Sequence, residues 1–521
     1  MKQDYLGQNR ENRVGLALDR SARYNIRPPF HPSKRYPEYR FDGLENFDTI
    51  DGYALVRDAL FQLGLDRSNF GTPEWNPLGD IISPGDKVAL KPNWVLDKHP
   101  RGHDIFSVIT HPSIIRAVLD YVLIALRGEG SVTVCDAPQG DCDFDRLREL
   151  SYLDDLREFY VCQDGIVPEF VDLRTIRYLV DRDGYLMNDA RSKLAGDPAG
   201  YCKVNLGAES LLHDLENLHN LYGADYDRDF TSKHHCGDRH EYLVSRTILS
   251  SDIVISIPKM KTHKKTGVTL NLKNLVGING DKNYLAHFRV GSSDTGGDEY
   301  PSGMERKKKL VLRSQRMMID RLLVKPNRLS VGVFNLISKS YRGLRRITGI
   351  DSKPDIRNGD WYGNDTAWRM VVDLNRILFL ADRDGVMQSE PQRRYFSVVD
   401  GLLAGEGAGP LDPDPVHAGL ILTGFSPTPV DLVGTALMGF DYTKLHLYDY
   451  IVGNRQGKQP LPYAITDPHS VSIAIDGREC TIHDPPTAIP PLSFRPHPGW
   501  AGHIELSSEL RSETCHSEVD D

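Results

Sequence analysis

The sequence predicts an α/β protein, a mostly parallel sheet flanked by helices and interrupted by two large insertions. Three observations carry this expectation. Strand-like and helix-like patterns alternate through residues 85–136, the signature of βαβ units. SDIVISIPKMKTH (251–263) is a continuous β-branched run of the kind found in strands covered on both faces. YFSVVDG (395–401) and HAGLILTG (417–424) read as two further strands, followed by a helix over PVDLVGTALMGFD (429–441).

Taken in order, residues 1–80 form an N-terminal arm and a helix. Residues 1–45 are polar and rich in Arg and Pro, and they read as a wrapping over the surface; DGYALVRDALFQL (51–63) has helical apolar spacing. The core spans 81–440. Pro84-Gly85-Asp86 is a turn, and KVALKPNW a strand that ends at Pro92. Thr110 or His111 caps the next helix, Pro112 suits its first turn, and Gly128–Gly130 stops it. SVTVCDAP is then a strand with Asp136 at its end, so this stretch is expected to be a right-handed βαβ unit. Insertions fall at about 140–245 and 284–350. The first carries helical pieces near Asp143–Tyr160 and a hairpin near Gly165–Tyr185. Asp365–Leu380 is an amphipathic helix. Residues 441–521 are a C-terminal extension with an acidic tail, Ser507–Asp521.

A chain of 521 residues exceeds one ordinary core, and 40% apolar with 26% charged residues is a globular composition. The first residues, MKQDYLGQNRENR, lack the apolar region of a secretory signal, and no run of 18 uncharged apolar residues occurs. Seven scattered cysteines without a C-x-x-C pair argue against a disulfide framework, a zinc ribbon or an iron–sulfur cluster. A cytoplasmic protein with reduced thiols is expected.

Polar side chains gather at four strand ends: Lys91 and Asn93; Asp136; Lys259, Lys261 and His263; Asp400. In an open parallel sheet, ligands bind outside the carboxyl ends of the strands, so these residues have a geometric reason to converge, although strand-end loops are also polar simply because they are wet. The densest stretch, PKMKTHKKTGVTLNLKNLVGINGDKN, carries Lys259, Lys261, His263, Lys264, Lys265, Lys273 and Lys282 with Gly277 and Gly280. So many cations repel one another unless an anion sits among them. Lys273 and Asn274 beside Gly277 resemble a phosphate cradle of ammonium and backbone N–H groups. Walker A, G-x-G-x-x-G and G-x-S-x-G motifs are absent.

Carboxylates offer a second theme. Asp141, Asp143 and Asp145 follow Asp136, and Asp400 and Glu406 bracket a predicted Gly-rich turn, GLLAGEGAGP. Hard oxygen ligands of this type suit Mg²⁺ or Ca²⁺ rather than Zn²⁺. An EF-hand is excluded, because its later Gly and Glu are missing. The looser group His234, His235, Cys236 and His240 is of a kind that arises by chance.

The strings VALKPNWV, ITHPSIIRAVLDYV, VTVCDAPQG, DIVISIPKMKTHKKTGVTLNLKNLVG and VVDGLLAGEGAGP…PVDLVGTALMGFD, in this order, resemble the bacterial and archaeal domain-of-unknown-function family 362 over most of 85–440. The resemblance implies that Lys91, Asn93, His111, Asp136, Lys259, Lys261, His263, Lys273, Asn274, Asp400, Glu406 and Asp431 belong to a shared core and site. Many members carry a ferredoxin-like cysteine segment; this sequence lacks it, so an electron-transfer role does not carry over.

The expected function is enzymatic, on a phosphorylated or polyanionic small molecule such as a sugar- or lipid-linked intermediate. Lys91, Asn93, His111, Lys259, Lys261, Lys273, Asn274 and Glu406 are the candidate ligand-binding residues. Asp136 or Asp400 would act as base or hold Mg²⁺, and His263 would carry the proton. A non-catalytic module for an anionic ligand or partner is the alternative. Finally, Met304–Arg346 holds 13 Lys/Arg against 2 Asp/Glu, a local charge of +11, which leaves −20 on the rest of a chain whose net charge is −9. Its cations alternate with apolar residues. Such a segment packs on the acidic body or lies on an anionic membrane. Nucleic acid is not expected there, since the stretch has few aromatics for stacking.

Overall fold

The computed structural model describes residues 10–506 apart from 46–48, 164, 181–185, 224–226, 323–328, 331, 335, 338–355, 357, 454–460, 463–464, 466 and 483–491. The acidic tail and the C-terminal part of the basic insertion lie outside the described residues.

Eleven strands form the main sheet. They are β1 (Arg13–Leu18), β2 (Lys87–Pro92), β3 (Ser131–Asp136), β4 (Glu169–Asp172), β5 (Ile253–Ile257), β6 (Lys259–His263), β7 (Gly267–Thr269), β8 (Arg394–Glu406), β9 (Asp414–Gly424), β10 (Ser472–Ile475) and β11 (Arg478–Thr481). The spatial order is β11-β10-β1-β9-β8-β5-β2-β3-β4, with β6 pairing to β8 and β7 to β6. Neighbours from β8 to β4 all run parallel. The side beyond β8 is mixed: β8 with β9, β9 with β1, and β10 with β11 are antiparallel, whereas β1 with β10 is parallel.

Alternation along the strands builds two cores. Val88, Leu90, Ile253, Ile255 and Ile257 face the helices α1 (Gly52–Gln62) and α2 (Pro112–Leu126). Ala89 and Val254 face the other way, toward α5 (Ala367–Leu380) and α6 (Pro427–Leu437), which follow α3 (Asn271–Asn274) and α4 (Arg306–Leu322) in the chain. This is a three-layer α/β arrangement. His111 accepts from Ser113 N at the start of α2, with Pro112 in the first turn. Among the described residues no helix is long and apolar enough to cross a membrane.

Three segments differ from expectation. The N-terminal arm is not only a wrapping: RVGLAL enters the sheet between β9 and β10, with Val14, Leu16 and Ala17 fully buried. The C-terminal extension supplies β10 and β11. Within 140–245, Glu169–Asp172 extends the parallel sheet beside β3, so this stretch is partly core. The helical pieces lie at Phe144–Leu150 and Leu153–Val161, and the hairpin pairs Ile176–Val180 with Leu186–Lys193. The helix α5 is buried along its whole length rather than on one stripe, because residues 207–245 cover its outer side: Asp373 accepts from Leu211 N (2.9 Å) and from the hydroxyl of Tyr242 (2.9 Å).

The first part of the glycine-rich stretch after Asp400 is strand, to Glu406, and the turn falls at 407–410. β8 pairs with β5 in its first half and continues past Asp400 to pair with β6, Lys259 opposite Asp400 and Lys261 opposite Gly405. The lysine-rich stretch 259–269 is therefore a buried hairpin laid across the carboxyl edge of the sheet.

Candidate functional site: a cationic cavity at the carboxyl edge

Register brings the strand ends to one edge, with Lys91 opposite Ser256, Pro92 opposite Ile257, and Asp136 two residues beyond the Leu90–Val134 match. Above this edge lies a cavity of about 450 Å³. Its wall includes Lys261, Lys264, Lys265, Lys273, Lys282 and Arg316, the imidazoles of His263 and His287, and one carboxylate, Asp136, among the described residues. Trp94 and Phe288 add apolar surface.

The floor is a fixed polar knot. Lys91 Nζ sits 2.7 Å from Asp136 Oδ1 and donates to Pro92 O (2.8 Å) and Asn274 Oδ1 (3.1 Å). Asp136 Oδ2 accepts from Trp94 N (2.7 Å), and Asn93 Nδ2 donates to Asn274 Oδ1 (3.2 Å). Asn274 Nδ2 donates in turn to Lys91 O (2.9 Å) and Ser256 Oγ (3.0 Å). Gly277 closes the knot: a Cβ there would stand 1.9 Å from Asp136 Oδ1 and 2.7 Å from Lys91 Nζ, so only glycine admits this approach. Both oxygens of Asp136 are engaged, which leaves it ill placed as a base or a Mg²⁺ ligand.

The cations above the floor are poorly neutralised. Lys273 makes no hydrogen bond or ion pair among the described residues, and burial together with Lys282 and Lys91 lowers its pKa to about 7. Lys282 donates to Ala137 O (2.7 Å), and burial lowers it to about 8. Lys261 is fully buried with Val108 O as its acceptor; burial and the neighbouring Lys259 and Lys273 push it well below the usual lysine range. Lys264 and Lys265 share Asp360, at 3.3 and 2.8 Å. Asn93 Oδ1, Trp94 Nε1 and Thr269 Oγ1 are among the buried polar atoms of cavity-lining residues that have no hydrogen-bond partner among the described residues. Unpaired polar groups of this kind are costly unless a ligand or water satisfies them.

The two imidazoles differ in what they offer. His263 Nδ1 accepts from Lys265 N (3.0 Å) and Thr266 N (3.2 Å), so the proton sits on Nε2. Burial, and then the surrounding lysines, hold its pKa well below 6.5. His263 is thus a neutral N–H donor, and not the proton carrier its pattern suggested. In His287, Nδ1 donates to Leu285 O (2.9 Å), which leaves Nε2 as an acceptor; burial lowers its pKa to about 3.

Asn93, Asp136, Lys261, His263, Lys273 and Asn274 therefore meet at one cavity, with Lys91 beneath. Lys259, Asp400, His111 and Glu406 do not line it. Lys259 Nζ pairs with Asp400 Oδ2 (2.5 Å) in a dry network: it donates to Tyr24 OH (2.8 Å), which donates to Asp400 Oδ1 (2.6 Å), and His111 N donates to Asp400 Oδ2 (2.9 Å). The Tyr24 ring stacks on His111 with centroids 3.8 Å apart. This network fastens the N-terminal segment to β6 and β8, which makes Asp400 structural. Glu406 pairs with Arg495 (2.7 Å), and Asp431 accepts from Asn271 N (2.7 Å) and Leu272 N (2.9 Å), holding α3 in place. Asp143 caps the helix at Phe144–Leu150 and pairs with Arg177. Among the described residues no group of three or more His, Cys, Asp or Glu is arranged to hold a metal ion.

This separation is testable. Tyr24→Phe leaves Lys259 and Leu403 N each short of a partner (2.8 and 3.1 Å in the native protein). The expected loss is about 2 kcal/mol of stability, read by urea unfolding, with anion affinity changed less than twofold. A large change in affinity at unchanged stability would tie Tyr24 to the site instead.

Sequence reasoning did not assign Lys264, Lys265, Lys282, His287, Arg316, Trp94 or Thr269 to the site. The lysines were visible as part of a dense cationic run. His287 and Arg316 carried no local signal, because only the folding of the second insertion over the sheet edge brings them in.

Residues 166–436 match the family model described as domain of unknown function (DUF362), more than half of the chain, and the chain belongs to that family. Strands β2 and β3, with Lys91, Asn93 and Asp136, precede the matched segment. No curated protein matches the chain. Among solved structures, the crystal structure of a Thermotoga maritima protein aligns at 11% identity over 66% of this chain and 54% of that one, with a TM-score of 0.27. The alignment thus spans about half of that protein's length and is too loose to bear on the site.

Proposed function

We propose that the protein is an enzyme acting on a phosphorylated or polyanionic small molecule bound in the cavity. One observation carries the reading: six Lys/Arg side chains and two imidazoles converge on a concave space lined, among the described residues, by a single carboxylate, already paired. Opposite charge is what such a space lacks. At an effective dielectric of about 20, two unit charges 4 Å apart interact by about 4 kcal/mol, so an anion relieves several such repulsions at once.

Catalysis, rather than mere binding, is favoured by the cavity's titrating groups. Lys273 at about 7 and Lys282 at about 8 exchange protons near neutrality, beside the neutral donor His263. In this reading Arg316 supplies fixed positive charge, Lys261 and Lys265 add to it where an anion restores their protons, His263 Nε2–H and Trp94 Nε1–H orient the anion, and Lys273 accepts or delivers the proton. Trp94 and Phe288 would receive the uncharged part of the substrate.

Isothermal titration with inorganic pyrophosphate at low salt tests the shared premise. Micromolar binding that weakens steeply with added NaCl is expected; absence of binding at 1 mM ligand would remove the reading. Hydrolysis or transfer on a panel of phosphorylated sugars and lipids then separates an enzyme from an anion-binding module.

A further inference from the structure

We infer that α4 presents its outer face to an anionic phospholipid surface, so that the cavity works at a bilayer. The inference rests on the cavity reading only for what the bilayer supplies, an anionic lipid-linked substrate. The contact itself stands on the helix.

Arg316 anchors α4 to the body. Its guanidinium donates to Glu299 and to Asn358 Oδ1 (3.0 Å), and lies over the rings of Tyr222 (4.3 Å) and Phe288 (5.0 Å). The same side chain lines the cationic cavity and a neighbouring groove of about 490 Å³, whose wall includes Tyr300, Arg313, Met317 and Arg321. Arg316 thus stands between the groove on the exposed side of α4 and the cavity.

On that side, Arg306, Leu310, Arg313, Met317 and Arg321 recur at helical spacing and are exposed, Leu310 at 66% and Met317 at 50%. Arg306, Arg313 and Arg321 make no ion pair among the described residues, whereas Arg316 pairs with Glu299 of the body. Leu329, Val333, Leu336 and Ile337 are exposed too, so half of the exposed large hydrophobic side chains of the described residues fall between 310 and 337. Apolar residues interleaved with free arginines, on a segment of +11 in a chain of −9, match the acyl boundary and headgroups of an anionic leaflet. The body's negative charge keeps other surfaces off the membrane and orients the approach.

Co-sedimentation of the full chain with phosphatidylglycerol-containing and pure phosphatidylcholine vesicles decides the matter. Pelleting should require the anionic lipid and fall between 50 and 500 mM NaCl. Arg313→Gln/Arg321→Gln should lower partitioning roughly 25-fold, about fivefold per cation removed, with an unchanged melting temperature. Leu310→Ser/Met317→Ser, which keeps the charge, should also lower it. Equal pelleting on neutral vesicles, no pelleting at 50 mM NaCl, or tighter binding to a single-stranded oligonucleotide than to vesicles overturns the inference. Pyrophosphate titration of the same variants without vesicles reports on the cavity separately.

Discussion

Lys273→Met is expected to weaken sulfate binding at pH 7 by about 100-fold while leaving the protein at least as stable as the native chain. The ammonium has no counter-charge of its own, so its removal takes from the site the cation with most to gain from an anion. Loss of one charge-assisted contact in a concave space amounts to roughly 2–3 kcal/mol. Its pKa near 7 makes the effect depend on pH. Sulfate keeps its charge through this range, so any pH dependence belongs to the protein. Native affinity should fall about tenfold from pH 7.5 to 8.5 as Lys273 loses its proton, and in Lys273→Met the dependence should become shallower and follow Lys282 alone.

Stability carries the same signature with opposite sense. The folded pKa of Lys273 is depressed, so the unfolded chain binds the extra proton between about pH 7 and the ordinary lysine value. The apo protein therefore gains stability from this residue as pH rises through that window. In Lys273→Met that gain should vanish, and with saturating sulfate it should shrink in the native chain. A variant that unfolds on purification would instead mark Lys273 as a packing residue and withdraw it from the site.

The fold was legible because period and length agree along the chain. β2, α2, β3, β5 and β9 each announce themselves by a β-branched run or a helical stripe bounded by Gly or Pro. The convergence of Asn93, Asp136, Lys261 and Asn274 followed from a general property of parallel sheets, that strand ends share an edge. What local pattern could not reveal was which strand-end charges neutralise each other. Lys259 and Asp400 look as available as Lys261 and Asp136 in the sequence. Pairing across β6 and β8 sets Lys259 opposite Asp400, and Tyr24 arrives from the far end of the chain to complete the network. Long-range closure of this kind also hid the roles of β1 and of Arg316. The glycine-rich stretch misled in its first part only: Gly405 lies in the strand and serves close approach to Pro413, whereas Gly409 sits in the turn at 407–410 and also approaches the backbone of Thr262.

The largest stability effects should come from the floor of the cavity. Lys91 is fully buried, and Asp136 nearly so, with Nζ and Oδ1 2.7 Å apart. Removing one partner strands a charge in a dry place, which typically costs about 3–5 kcal/mol. Lys91→Met leaves Asp136 with Trp94 N as its remaining hydrogen-bond donor. Asp136→Asn leaves Lys91 with the oxygens of Pro92 and Asn274, and adds its charge to the crowd above. Replacing both should recover most of the loss, because the cost lies in the unpaired charge rather than in the lost attraction. A double-mutant cycle by urea unfolding should thus show a coupling of at least about 2 kcal/mol. Strictly additive losses would mean that the pair does not act as one. Gly277→Ala should resemble the worse single variant, since its methyl would collide with both partners. Anion affinity distinguishes the two partners. Where the Asp136→Asn protein folds, sulfate should bind several-fold more tightly than to the native chain, because the only carboxylate lining the cavity among the described residues is gone. Weaker binding in that variant would give Asp136 a direct part in holding the ligand, through a bridging cation or a hydrogen bond to a protonated oxygen.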